Sequence, residues 1–299
     1  MKNFVITLLI AVAASTAGAQ QLKVATGSAK GTYAAMFKEV NSVCATDVPM
    51  LETNTTGSIQ NLDMLIGNQV NAVFTQTDVL YYRAQTEDLG NVKTLLTLHP
   101  EQVHIVVPTN SGIKTGGTMG IGAKPVVFQS IQQLAGYRIG AAGGSFVTAQ
   151  VIRLQSEIPF QVVQYDDNTK LMAALKAGQV QAALLVGGQP LGAVAELGPD
   201  HRLVAIPEAV ATKLKGVYRP SRLSYTKMNA SGVATVATDA LFVTREYKTP
   251  KMIATLAKFR TCAVEKIEEM KETTGTHPAW QKVDTANKGK WAYYDLPAK

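Results

Sequence analysis

The chain has 299 residues, 46% of them apolar and 17% charged, with a net charge of +7. It is long enough for two modest domains and apolar enough to bury a core, which excludes a disordered chain. Its lysines and arginines are scattered rather than gathered into a run or stripe, so nucleic acid is not an expected partner.

Residues 1–19 read as a signal peptide. Lys2 supplies the positive start, Phe4–Ala14 the apolar middle, and Ala17-Gly18-Ala19 the small residues for cleavage before Gln20. The apolar stretch is shorter than a bilayer span, which needs about 20 residues. The expectation is an exported, periplasmic protein without a membrane anchor.

Leu22–Ala25 is apolar and is broken by Gly27-Ser28-Ala29-Lys30-Gly31-Thr32. Tyr33, Met36, Phe37, Val40, Val43 and Cys44 then recur at helical spacing. A strand that feeds a helix through a glycine turn leaves backbone N–H groups unpaired at the helix start, and these attract anions. The same unit returns further on. Met50–Thr53 is a strand, 54–58 a polar turn and Ile59–Ile66 a helix. Asn71–Phe74 is a strand ending at Thr75-Gln76-Thr77-Asp78, and Val79–Gln85 is helical. Val92–Leu98 and Val103–Val107 read as two strands on either side of a turn at His99-Pro100-Glu101.

Thr109–Lys124 carries five glycines without apolar period and reads as a linker or surface loop. Alternation then resumes with a helix at Phe128–Leu134, a strand at Arg138–Ala142, a Gly143-Gly144-Ser145 turn and a helix at Phe146–Gln155. Phe160–Tyr165 is a strand, Lys170–Ala177 a helix and Ala182–Val186 a strand. Gly187-Gly188-Gln189-Pro190 follows, with Pro190 placed to start a helix. Leu203–Ile206 and Ala234–Thr244 are strand-like. Pro250–Met270 is a long helix with an apolar stripe. If that helix packs back on the first unit, Cys262 approaches Cys44, and export permits a disulfide between them; two separate buried thiols are the other reading.

A reactive constellation is missing. His99, His104, His201 and His277 do not share a face or zinc spacing with cysteines or carboxylates, so no metal or cofactor is expected. Gly143-Gly144-Ser145 fails the nucleophile-elbow pattern because Val147 fills its last position. A periplasmic hydrolase using Ser145 is an alternative without a visible base. Asp166 and Asp167 read as a solvated turn or a helix cap. What recurs is hydrogen-bond donors at strand ends, which is where open α/β sheets bind ligands. Ser28, Thr32, Tyr33, Thr56 and Ser58 belong to this set, with Gly144, Ser145 and Gly188 from the second unit. Each serine or threonine can equally be a simple cap, and Tyr33 a core residue. Asp78 and Asp166 are candidates for a ligand ammonium.

Several stretches in order resemble the TAXI family of solute-binding proteins, the extracytoplasmic receptors of TRAP transporters. They are Ala25-Thr26-Gly27 with Gly31-Thr32-Tyr33, Thr56-Gly57-Ser58-Ile59-Gln60, Asn71–Asp78, Leu98–Val107, Ala173–Ala183 and Gly188-Gln189-Pro190. The resemblance implies a two-lobed type II periplasmic-binding-protein fold, two open α/β sheets with flanking helices and a ligand cleft between them. It implies no catalysis, and delivery of a small carboxylate or amino acid to a membrane permease. Carried onto this sequence, its ligand-facing positions are Gly27, Thr32, Tyr33, Thr56, Ser58, Gln76 and Asp78. Lys30 stands where the family usually shows more glycine and would add a positive charge near the ligand, or point to solvent. The expected division is 20–108 plus 226–299 for one lobe and 109–225 for the other, in a monomer. The same fold serving an ATP-driven importer or a sensor is the nearest alternative.

Overall fold

The computed structural model describes residues 20–116 and 123–297. The expected signal peptide and the middle of the glycine-rich loop, 117–122, lie outside the described residues. The first half runs β1 (Leu22–Ala25), α1 (Thr32–Cys44), β2 (Met50–Thr53), α2 (Ser58–Ile66), β3 (Ala72–Gln76) and α3 (Thr77–Arg83). The long strand β4 (Val92–Pro108) follows, then a two-residue hairpin of β5 (Lys114–Thr115) and β6 (Lys124–Pro125). The second half runs β7 (Arg138–Ala142), α4 (Gly144–Ser156), β8 (Gln161–Tyr165), α5 (Asn168–Lys176), β9 (Ala182–Gly187) and α6 (Gly192–Ala195). Then come β10 (His201–Leu203), α7 (Glu208–Leu214), β11 (Arg219–Tyr225), a second long strand β12 (Ala230–Arg245) and the helix α8 (Pro250–Glu272).

The two expected sheets share strands and pair as one, in the order β2-β1-β3-β12-β4-β9-β7-β8, with β10 on β4 and β11 on β12. β1, β2 and β3 are parallel, as are β7, β8 and β9. β4 and β12 run antiparallel to each other and pass from one half to the other. The C-terminal part of β12, from Ala240, pairs with β3, and its N-terminal part, to Ala237, pairs with β11. β4 joins β9 from Gln102 onward. The change of partner therefore falls at Pro100–Gln102 and Ala237–Ala240, inside the two long strands.

That crossing corrects the expected turn at His99-Pro100-Glu101. The chain stays extended there, and the register of β12 shifts opposite Pro100, between Asp239 and Leu241. Proline has no N–H to give a ladder, so the pairing breaks locally without ending the strand. Other expectations shift too. Phe128–Leu134 forms only a 3-10 turn at Ile131–Leu134, the strand expected at Leu203–Ile206 ends at Leu203, and α6 starts two residues after Pro190.

Three apolar clusters hold the sheet and helices together. Under α1 and α8, Phe74, Phe242 and Phe259 stack in series, with centroids 4.9 Å apart at each step. A second cluster joins both halves, bringing Leu62, Val73 and Val79 together with Ile139, Val147 and Ile152. The third packs Leu171 and Leu175 of α5 on Ala183 and Leu185 of β9. Full burial of such a side chain contributes about 1.5–3 kcal/mol. α8 does pack on α1, and Cys44 and Cys262 form a disulfide with Cα atoms 5.9 Å apart.

Candidate functional site

Four helices begin at one cleft. α1 starts after Gly31, α2 after Gly57, α4 after Gly143 and α5 after Asp167. The first turns of all four line a cavity of about 440 Å³ between the two halves. Each follows the end of a parallel strand, which is why they converge. Asp167 caps α5 by accepting from the Lys170 amide at 2.8 Å. α1, α2 and α4 have no side-chain cap and no acidic residue in their first turns. Their positive ends therefore point into the same space.

Glycine is required where the halves meet. Gly57 has φ +120°, and Gly143 has φ +52°. A Cβ on Gly143 would lie 2.7 Å from the carbonyl oxygen of Thr56 in the opposite half. The α2 and α4 ends thus face each other at backbone contact.

The floor is polar. Glu101, from the crossing of β4, is buried, and its Oε2 accepts from the Tyr33 hydroxyl at 2.8 Å. The Tyr33 ring stacks on Phe74 at 5.2 Å. Burial, then the charge of Glu101, pushes the Tyr33 pKa well up, so it stays a neutral donor. Gln76 Oε1 is buried without a partner. Val186, Gly187 and Leu191 form an apolar wall. The Ser145 hydroxyl accepts from the Val186 amide at 3.0 Å and thereby ties α4 to the end of β9.

Of the positions expected from sequence, Gly27, Ser28, Thr32, Tyr33, Thr56, Ser58, Gln76, Gly144 and Ser145 all line this cleft. Three do not. Lys30 is exposed and lies outside the lining. Gly188 borders a separate, smaller cavity. Asp78 is fully buried outside the lining, and Thr148 donates to its Oδ2 at 2.6 Å and Tyr218 at 2.8 Å. It joins α3 to α4 rather than facing a ligand. Asp166 is on the rim and pairs with Lys170 at 2.5 Å. Glu101 falls in the expected turn; as part of a strand it shares a face with His99, two residues away, at the crossing of the sheet.

Among the described residues, the cleft lining contains no histidine, cysteine, lysine or arginine. A bound anion would be balanced by helix ends and hydroxyls, and a bound ammonium by Glu101. No group of three potential metal ligands occurs among the described residues, and none of their helices is long and apolar enough to cross a membrane. A larger hollow of about 1070 Å³ lies between α8 and the C-terminal segment. Leu95, Val264 and Trp291 are among its walls, and no helix begins in it. The convergent donors make the smaller cleft the candidate site.

A family model described as NMT1-like matches residues 24–290. Among solved structures, the GluR0 ligand-binding core from Nostoc punctiforme in complex with L-glutamate is 13% identical, with a TM-score of 0.51, and 87% of this chain and 95% of that one are covered. An amino acid ABC transporter substrate-binding protein from Streptococcus pneumoniae, bound to L-arginine, is 14% identical with a TM-score of 0.51, covering 88% and 96%. The effector-binding domain of QuiR, in complex with shikimate, is 9% identical with a TM-score of 0.52, covering 84% and 98%. The fold is that of the type II periplasmic solute-binding proteins.

Proposed function

The chain belongs to the NMT1-like family, and from that premise we propose that it is an exported solute receptor that holds a small organic anion or amino acid and does not transform it. The observation that carries this reading is the convergence of three uncapped helix N-termini from both halves on one cleft beside a buried carboxylate. A carboxylate suits the helix ends. An ammonium suits the Glu101 carboxylate, which lines the cleft. With both, the cleft favours an amino acid over a simple anion. Nucleophile–base chemistry has no support, because Ser145 has no hydrogen bond to a carboxylate or histidine among the described residues and its oxygen already accepts a backbone N–H.

The two halves are the lobes, divided where β4 and β12 change partners. Contacts to both lobes would shift the population towards a closed form. Delivery is to a membrane permease of the TRAP type, a reading supported by the ordered TAXI-like stretches. A second reading, an ATP-driven importer, is favoured by the likeness to the Streptococcus pneumoniae receptor.

A thermal-shift panel of amino acids and small dicarboxylates tests the receptor reading. A true ligand stabilises by about 2.7 kcal/mol at a hundredfold excess over its Kd. NMR of the recovered solute should show it unchanged; a chemically altered solute would refute the reading. Uptake reconstituted with a candidate permease, driven by an ion gradient or by ATP, separates the two transport readings.

A further inference from the structure

His99 Nε2 faces Glu101 Oε1 at 3.6 Å, from two residues away on β4. The other carboxylate oxygen, Oε2, is taken by the Tyr33 hydroxyl at 2.8 Å. An ionised carboxylate only accepts, so the ring nitrogen that faces it carries a proton. At 3.6 Å this N–H acts on the carboxylate through its charge rather than through a formed hydrogen bond. The ring is wedged from the second half, because a Cβ on Gly188 would lie 2.9 Å from its Cδ2 and 3.2 Å from its Nε2.

His99 is fully buried, and among the described residues neither of its ring nitrogens has a hydrogen-bond partner. An unsatisfied polar ring inside a sheet is costly, and an apolar side chain of similar size would pack there without that cost. Proteins break such local rules mainly at functional sites. The group that Nε2 faces is one, since Glu101 lines the solute cleft. His99 itself is not in that lining and would touch no solute.

We infer that His99 is a positioning residue that sets solute specificity through Glu101: it competes with the solute's ammonium for the carboxylate and so holds down the affinity for amino acids relative to acids without an amino group. The inference rests on the receptor reading, in which Glu101 takes the ammonium. The Nε2–H and the ammonium present positive ends to the same carboxylate, so each lowers the potential that the other meets. A receptor must release its solute as well as hold it, and weakening one contact in the closed cleft acts mainly on release.

The test is calorimetric titration of the wild type, His99→Leu, Glu101→Gln and the double variant. The probes are amino acids, each paired with the carboxylic acid of the same skeleton without the amino group, such as L-glutamate with glutarate. His99→Leu should bind the amino acid about threefold to tenfold tighter and its partner acid unchanged. The gain should vanish in the double variant when compared with Glu101→Gln. His99→Gln, which returns an N–H close to the place of Nε2, should restore the wild-type affinity. The urea midpoint of His99→Leu should be no lower than that of the wild type, since the replacement breaks no hydrogen bond. A purely structural role for the ring predicts weaker or equal binding, never a gain confined to the solute with the amino group. Unchanged or weaker amino acid binding in His99→Leu would overturn the inference, as would an equal gain for both probes or a gain that persists beside Glu101→Gln. A wild type that binds no amino acid fails the receptor reading, and the inference falls with it; amino acid binding without the gain overturns the inference alone. Should His99→Leu not fold, nitrogen NMR of the histidine-labelled wild type reads the same competition. The His99 Nε2 signal should move with the amino acid and stay with its partner acid; a signal that follows both, or neither, overturns the inference.

Discussion

Replacing Asp78 by asparagine should flatten part of the protein's pH–stability profile. Asp78 is fully buried, and among the described residues it has no cationic partner. Its oxygens accept from Thr148, Tyr218 and the Val79 amide. Burial outweighs these bonds, and the negative charge of Glu101 adds to it, raising the pKa from 3.8 to about 6. The folded state therefore takes up a proton more readily than the unfolded chain. The gain is absent above about pH 7, where both states are ionised, and it grows as pH falls through 6 towards 3.8. The full effect of that difference is about 3 kcal/mol, of which about 2 kcal/mol develops between about pH 7.5 and pH 4.5. Buried His104 works in the opposite direction, because desolvation lowers its pKa to about 4 and acid must protonate it against that cost. The whole-protein profile thus mixes both. The quantity to read is the stability difference between wild type and Asp78→Asn from urea unfolding at the two pH values. It should move by about 2 kcal/mol in favour of the wild type on acidification. Parallel profiles for the two proteins would refute the reasoning, because Asp78 would then titrate alike in both states.

Two other perturbations follow from the fold and the cleft. The disulfide closes a loop with a sequence separation of 218 residues. On chain entropy alone it contributes about 5 kcal/mol at most. Reduction, or Cys44→Ser with Cys262→Ser, should lower the urea midpoint, and an unchanged midpoint would sink this attribution. Gly143→Ala should cost about 1–3 kcal/mol in backbone strain and overpacking. Gly178→Ala is its control, with φ +69° but open space around the new Cβ. Only the Gly143 variant should also weaken solute binding, since only it pushes the halves apart at Thr56. Equal affinity in the two variants would count against contact between the α2 and α4 ends.

The local units were legible because each carries its own signal. β1, β2 and β7 fall where alternation and apolar runs put them, and α8 follows a proline and an apolar stripe that runs its length. Nine of the cleft positions were legible for the same reason, since a strand, a glycine turn and a helix mark a ligand-facing loop whatever the partner. What was not legible depends on the sheet as a whole. Pro100 looks like a turn until β12 is known to lie opposite it with a shifted register. Reading a turn there hid Glu101. β11, Arg-Pro-Ser-Arg-Leu-Ser-Tyr, buries only Leu223 and Tyr225, so its polar edge gives almost no apolar signal. Asp78 sits at a strand end as the cleft residues do, but its side chain is claimed by Thr148 and Tyr218, which are 70 and 140 residues away. Such partners have no local pattern to announce them.

Calorimetric titration of wild type and Glu101→Gln with the tightest amino acid from the solute panel, and with its analogue lacking the amino group, bears most directly on the receptor reading. One-to-one binding of both solutes to the wild type is expected. Glu101→Gln should weaken the amino acid by about 10–100-fold, the equivalent of one charge-assisted hydrogen bond, and leave the analogue nearly unchanged. An amino acid bound equally well by both proteins, or consumed during the titration, would contradict a cleft that holds carboxylate at its helix ends and ammonium at Glu101.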